Sequence, residues 1–301
     1  MNRLVLIDGH AVLFRAFHAY PSLTTSEGEL VNAVYGFSNI LLNTISELKP
    51  THIAVTFDCA APTFRHTEYV GYKASRPEMP EDLAGQQERV REVVTTLNIP
   101  IFAVEGFEAD DVIGTLAKQA EGETEVVIVT GDRDALQLVK DKRILVYMPG
   151  RGKMAPRMYD EEKFRQEYGF APINLIDFKA LAGDASDEIP GVAGIGEKGA
   201  KSLVSKLGTI EVMYGGIDQV KQEFGEKVAQ KLIDGQERAV LSKRLATIVT
   251  DVPIELNLAA CQVHEYDKER IMKLFEELQF RSLIRKLPND SFEQMVQETF
   301  L

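Results

Sequence analysis

The 301-residue chain is 45% hydrophobic and 27% charged, with 46 acidic against 34 basic side chains and a net charge of -12. That mix excludes a disordered or collagen-like chain and leaves enough apolar material for one large core, or a core with a smaller subdomain. No apolar run reaches the ~20 residues of a membrane span, no signal peptide precedes the first apolar run, and Cys59 and Cys261 form no C-x-x-C pair, so the reading is a cytoplasmic protein with reduced thiols rather than a disulfide or zinc-knuckle scaffold.

Three apolar runs end in aspartate. Leu4, Val5, Leu6 and Ile7 lead into Asp8; residues 53–57 lead into Asp58; residues 126–129 lead through Thr130 and Gly131 to Asp132. Short continuous runs of this kind predict strands buried on both faces of a parallel sheet. Leu30, Val34, Phe37, Leu41, Ile45 and Leu48 recur at helical spacing before Pro50, and Val112, Ile113, Leu116, Ala117 and Ala120 repeat the pattern. The alternation predicts an α/β domain with right-handed crossovers, a parallel-rich central sheet and flanking helices. Ligands of such sheets bind outside the carboxyl ends of the strands, so the three aspartates are expected in one cleft. Residues about 60–97, with Pro62, Pro77, Pro80, Tyr69 and Tyr72, break the rhythm and read as a long, partly helical excursion. From about 160 the pattern is mostly helical, with one more helix over 269–280. The expected division is 1–182 for an α/β core, 183–287 for a helical part and 288–301 for a tail or the start of a linker.

The net negative charge alone argues against a nucleic-acid binder. The charges are unevenly placed, however. Acids gather at Asp8, Asp58, the Glu108-Ala109-Asp110-Asp111 run, the Asp132-Arg133-Asp134 run and the Asp184 to Glu188 stretch. Each cluster alone could be a capped turn or a partner for a helix dipole. Together they would crowd carboxylates into one cleft, where they repel unless cations intervene. An all-oxygen set selects Mg²⁺ or Mn²⁺ over zinc, and two such ions ~4 Å apart suit in-line displacement at phosphate.

A second constellation is Pro190-Gly191-Val192-Ala193-Gly194-Ile195-Gly196-Glu197-Lys198, followed by an apolar helical pattern with Lys201 alongside. No strand precedes it and no Ser or Thr follows Lys198, so it is neither a dinucleotide fingerprint nor a P-loop. It reads as a helix-hairpin-helix clamp on a DNA phosphate, with a plain glycine turn as the alternative. The third is the excursion, where Arg65, Tyr72, Lys73 and Arg76 would form an electropositive gate with Tyr72 stacking on a base, or else a solvated charged loop.

In order along the chain, Leu6-Ile7-Asp8-Gly9, Phe57-Asp58, Tyr72-Lys73-Ala74-Ser75-Arg76, Gly106-Phe107-Glu108-Ala109-Asp110-Asp111, Thr130-Gly131-Asp132-Arg133-Asp134, Gly183-Asp184-Ala185-Ser186-Asp187 and the glycine hairpin resemble the motifs of the 5′-nuclease domain of bacterial DNA polymerase I and, more distantly, the flap endonucleases. The resemblance covers residues 3–287. It implies a helical arch and a divalent-metal-dependent 5′-3′ exonuclease and flap endonuclease that hydrolyses DNA in replication and repair. It places Asp8, Asp58, Glu108 and Asp110 around a first ion, and Asp111, Asp132, Asp134, Asp184 and Asp187 around a second. It puts Arg15 near the scissile phosphate, Lys73 and Arg76 in the arch, and a potassium ion at the hairpin. The implied partners are DNA with 5′ ends, flaps or junctions and a DNA polymerase, fused or separate. Glu188 departs from the family's usual Asn and Gly199 from its common Thr. A PIN-type ribonuclease would lack the arch and the hairpin. A haloacid-dehalogenase-type phosphatase would need an aspartate where His10 stands. A non-catalytic DNA-binding module would have no use for the full set of acids.

Overall fold

The apolar run that opens the chain becomes β1 (Asn2–Asp8), in which Leu4, Val5, Leu6 and Ile7 are fully buried. The computed structural model describes residues 2–120, 122, 124–150, 154–263 and 266–288. The sheet also contains β2 (His52–Thr56), β3 (Ile101–Phe102), β4 (Thr124–Val129), β5 (Ile144–Met148) and β6 (Arg157–Tyr159), in the order β3-β2-β1-β4-β5-β6. Every pairing is parallel except β5 with β6. The chain builds outward from β1 in one direction and then restarts on its other side at β4. The order therefore reverses between these two strands, and the crevice beyond their carboxyl ends is where such sheets bind ligands.

Alternate residues of β1 face opposite layers, as strand geometry requires. Leu4 and Leu6 join a core with Val126, Ile128 and the buried face of α5 (Ala109–Gln119). Val5 and Ile7 join another with Val127, Val129 and residues of α1 (Gly9–Ala19) and α2 (Asn32–Leu48). Both faces are covered, which is why the strands read as unbroken apolar runs.

The stretch expected to form an excursion over 60–97 divides in two. Its first part holds α3 (Phe64–Glu68) and irregular chain up to Pro80. Its second part, α4 (Glu81–Thr96), is a core helix instead, with Leu83, Val90, Val93 and Val94 buried. Buried Gln86 of α4 accepts the Ala33 and Val34 N–H groups at 2.7 and 3.3 Å, and so caps α2, whose own N-cap residue is Val31. The excursion is thus shorter than the sequence suggested.

The helical part comprises α6 (Glu161–Tyr168), α7 (Leu175–Ala182), α8 (Glu197–Leu207), α9 (Ile210–Gly215), α10 (Ile217–Phe224), α11 (Glu226–Asp234) and α12 (Gln236–Ala246). Helix α7 packs against α8 and α12, and α10 packs against α11. The predicted last helix is α13 (Lys268–Glu277), followed by α14 (Arg281–Ile284). These two return to the first unit: α13 packs on α4 and α14 on α2, with Ile271, Phe275 and Leu283 buried there. The expected tail lies outside the described residues from 289 onward. Among the described residues no helix is long and apolar enough to cross a membrane.

Candidate active site

The three strand-end aspartates meet at the crevice. Asp8, the last residue of β1, accepts the Ala11 N–H at 2.9 Å and thereby caps α1. Thr130, just past β4, donates its hydroxyl to Asp8 Oδ2 at 2.7 Å and accepts the Asp132 N–H at 3.0 Å, which ties the two strand ends together. Asp58 accepts the Ala109 N–H at 2.7 Å and has His10 Nδ1 3.0 Å from its other oxygen. Glu108 and Asp110 arrive at the start of α5, the first as its N-cap and the second in its first turn.

Two adjoining hollows of about 400 and about 780 Å³ result. Asp8, Asp58, Glu108 and Asp110 line the smaller, and Asp134, Asp184 and Arg15 line the larger. Asp132, Arg76, Ala11 and Phe14 line both, which makes them two ends of one cleft. Of the acids that the resemblance assigned to a second ion, Asp134 and Asp184 line the larger hollow, Asp132 lines both, and Asp111 and Asp187 line neither.

The cleft is electrostatically overloaded. Burial pushes Asp8 up to about 6, against hydrogen bonds from Ala11 and Thr130, with Asp58 and Asp132 adding repulsion. Burial also raises Asp110 well above the carboxylate range, reinforced by Asp8, Asp132 and Asp134. Its Oδ1 is buried and has no hydrogen-bond partner. Burial and Asp132 bring Asp134 to about 6, although Lys179 opposes them. Burial would raise Asp58 and Asp184 too, but His10 and Ala109 hold the first below its ordinary value, and Lys179 and Ser186 hold the second at about 2.

A stability signature follows. A folded-state pKa above the unfolded value gives stability that is complete below about 3.8 and is lost as pH rises through about 6, for Asp8 and Asp134. Asp58 and Asp184 act only below about 3.8, so they do not oppose this between pH 5 and 8. In chelator, Tm should therefore fall from pH 5 to pH 8, and Mg²⁺ should raise it more at pH 8, because ligands bind as carboxylates. A flat or rising Tm in chelator would mean that the acids are not mutually strained.

Basic side chains already answer this charge. Lys73 Nζ lies 2.9 Å from both Glu108 oxygens, Arg76 donates to Asp187 Oδ1 at 2.7 Å, and Lys179 bridges Asp134 and Asp184. Among the described residues no three acidic, His or Cys side chains converge as a ready-made metal cage. The donor set is nonetheless all oxygen, and the orphaned Asp110 Oδ1 suits a hard cation.

Several expectations need correction. Asp111 faces away from the cleft: it is fully buried, both oxygens bind Arg65 at 2.7 and 2.8 Å, and it accepts the Glu108 and Val249 N–H groups. As the third residue of α5 it is a capping and ion-pair residue. Arg65 is equally buried and so is no part of an exposed gate. Tyr72 is 3% exposed, with its hydroxyl donating to Glu108 at 3.1 Å, so its ring does not present a face for stacking. Asp187 is held by Arg76 and, at 3.4 Å, by the Tyr72 hydroxyl, and it still adds to the repulsion on Asp134. Arg15 reaches the larger hollow while donating to the carbonyls of Pro149 and Gly150.

The hairpin runs from the acidic loop after α7 to Gly196, the N-cap of α8. Gly191 and Gly183 carry positive φ and pack so closely that a Cβ on Gly191 would meet Gly183 N at 2.4 Å. The Gly191 N–H is spent on Ser242 Oγ at 3.0 Å, which removes it as a phosphate donor. Gly194, Gly196, Lys198 and Lys201 are exposed. Lys201 also donates to the Glu167 carbonyl at 3.1 Å, and Lys231, which sequence reasoning missed, takes the Gly194 carbonyl at 2.8 Å. Lys179, Thr130 and His10 were missed as well. The only hint of Lys179 was a lone charge in the otherwise apolar end of α7, five residues before Asp184.

At the switch point of the sheet the chain thus places an acidic cleft, and beside it a glycine hairpin between α7 and α8. The chain belongs to the 5′-3′ exonuclease family: that family's N-terminal resolvase-like domain matches residues 3–169 and its C-terminal SAM fold matches residues 170–269. DNA polymerase I of Chloroflexus aurantiacus is 46% identical over 295 residues, covering 95% of this chain and 31% of that protein. DNA polymerase I of Bacillus subtilis is 40% identical over 293 residues, covering 97% and 33%. The chain thus spans about a third of the length of these relatives. T5 5′-exonuclease with bound zinc superposes with a TM-score of 0.67 at 21% identity, covering 93% of this chain and 99% of that one. The catalytic core of Rad2 in complex with DNA gives 0.59 at 15%, covering 92% and 87%. At these identities both structures speak to the fold alone.

Proposed function

We propose that the chain hydrolyses DNA phosphodiesters at 5′ ends and at single-strand/duplex junctions, with Mg²⁺ or Mn²⁺ held in the acidic cleft. The observation that carries this is Asp110, a buried carboxylate with an unpartnered oxygen among other acids at the sheet's switch point. Such a group is costly unless a cation joins it. Asp8, Asp58, Glu108 and Asp110 would hold one ion, and Asp132, Asp134 and Asp184 another. Bound there, the ions supply charge stabilisation at the phosphate and an activated water.

The chain's own cations have separate tasks. Arg15 lies in the wall of the larger hollow, where its guanidinium can meet a phosphate oxygen. Lys73 and Arg76, from the excursion, line the smaller hollow and would add positive charge where the 5′ strand enters. A partner polymerase, fused or separate, would supply the branched substrate in primer or flap removal. Cutting a 5′-labelled flap duplex, beside plain duplex and single strand, tests the reading. Cleavage near the junction with a 5′-phosphate on the product is expected; cleavage of single strand alone would overturn the junction preference.

The hairpin would grip duplex backbone, since exposed N–H groups and lysines read no base edge. Lys198→Ala with Lys201→Ala should weaken binding alike for all sequences, and should flatten the salt slope by about 0.9 for each phosphate that is no longer neutralised. An unchanged slope in a salt titration, with Ca²⁺ present, would make the hairpin only a turn. The potassium ion implied at the hairpin would have to share or displace the Lys231 ammonium at the Gly194 carbonyl.

A further inference from the structure

Glu188 follows Asp187, lines neither hollow of the cleft, and has no part in the chemistry proposed above. Its carboxylate nonetheless crosses to the excursion, where Oε2 accepts the backbone N–H of Ser75 at 2.7 Å from 113 residues away. Further bonds adjoin that one. The Lys73 N–H donates to the Asp187 carbonyl at 3.1 Å, Arg76 donates to Asp187 Oδ1 at 2.7 Å, and Lys73 Nζ sits 2.9 Å from both oxygens of Glu108. Segment 73–76 is thereby stitched to the loop that joins α7 to α8, and its cations rest on carboxylates in and beside the cleft. Lys73 and Glu188, one on each side of the seam, hold left-handed backbone with φ of +53° and +57°. Residues with a Cβ avoid that region unless their surroundings hold them there.

We propose that Glu188 is a positioning residue that latches segment 73–76 down over the cleft, so that opening of the latch and entry of divalent cations are coupled. Lys73 and an incoming cation compete for the Glu108 carboxylate. Two positive groups cannot share it without strong repulsion at such short range. With the latch closed, the ammonium compensates the Glu108 carboxylate. A divalent cation held by Glu108 would take that partner from the ammonium, whose charge would then be free to meet a phosphate. The Ser75–Glu188 bond then decides how firmly the segment stays down. Coupling of this kind is reciprocal: if the closed latch weakens cation binding by some factor, the cation loosens the latch by the same factor. The identity of the cation rests on the proposed function; the latch bonds belong to the chain itself.

The test uses the full chain, with Ca²⁺ as the probe ion. Amide hydrogen exchange is followed at Lys73 and Ser75, and Ca²⁺ affinity is measured by calorimetry, for wild type, Glu188→Ala and Glu188→Gln. Without metal, Glu188→Ala should exchange about tenfold faster at Ser75 and bind Ca²⁺ about fivefold more tightly. Glu188→Gln keeps an acceptor oxygen and should stay near wild type in exchange. Ca²⁺ should speed exchange of the same amides in wild type. Equal Ser75 exchange in Glu188→Ala and wild type, with unaltered circular dichroism, would overturn the latch. Equal Ca²⁺ affinity, or slower exchange on adding Ca²⁺, would overturn the coupling. A chain that binds no Ca²⁺ would overturn both the coupling and the proposed function. One that loosens as described yet cuts no flap DNA would overturn the proposed function alone.

Discussion

Asp110→Asn is expected to yield a chain that is more stable than wild type and close to inactive. The side chain is buried on the first turn of α5, its Oδ1 has no partner, and Asp8, Asp132 and Asp134 oppose its ionisation. Asparagine keeps the shape and removes the charge. In chelator, asparagine removes the cost of either ionising or protonating this buried acid, so Tm should rise, by roughly 2–4 °C for each kcal/mol relieved in a chain of this size. With Mg²⁺ the same change takes away one of the anions meant to hold the ion, and single-turnover cleavage should fall on the order of 10³-fold. The paired outcome is diagnostic, because a residue kept for packing would lose stability on substitution. A variant with lower Tm, or with cleavage within tenfold of wild type, would remove Asp110 from the reaction.

Arg65→Met should have the largest effect on stability. Arg65 is 3% exposed; it holds both oxygens of Asp111 and donates to the carbonyls of Leu245 and Thr247 at 2.9 and 2.7 Å. Asp111 in turn accepts the Val249 N–H at 2.8 Å. One ion pair thus joins the base of the excursion, the start of α5 and the chain leaving α12. Removing the cation strands a buried carboxylate, at a cost of about 3–5 kcal/mol, or a Tm drop of roughly 10 °C. Arg65→Met combined with Asp111→Leu should recover part of that loss, since no charge is then left unpaired. Thermal unfolding of the two variants beside wild type decides: a drop under about 2 °C for the single variant, less than the shift expected from 1 kcal/mol, would mean that the pair ties nothing together.

The strand ends were legible because a strand buried on both faces leaves an unbroken apolar run, and its polar terminus stands out. Asp8, Asp58 and Asp132 were found in this way, and the sheet order then placed them in one crevice. The alternation of β1 between two cores was not legible, since Leu and Val look alike on either face. Helix α4 was misread because its apolar stripe is thin and one of its inward residues is Gln86, which caps another helix. Asp111 looked like its neighbours Glu108 and Asp110, yet adjacent positions on a helix point about 100° apart. Its third position on α5, the place of a capping-box acid, was the signal that could have separated it. Lys179 escaped because its role exists only once α7 carries it between Asp134 and Asp184.

The work proposed for the acidic cleft is to hold divalent cations against a phosphate. The most direct test is single-turnover cleavage of a 5′-labelled flap duplex by the wild-type chain, first in excess chelator and then during a Mg²⁺ titration. On this reading cleavage is absent in chelator and recovers fully as Mg²⁺ is added, because Lys73, Arg76 and Lys179 are already paired with acids in and beside the cleft and cannot replace the ions at the reacting phosphate. Undiminished cleavage in excess chelator would contradict it.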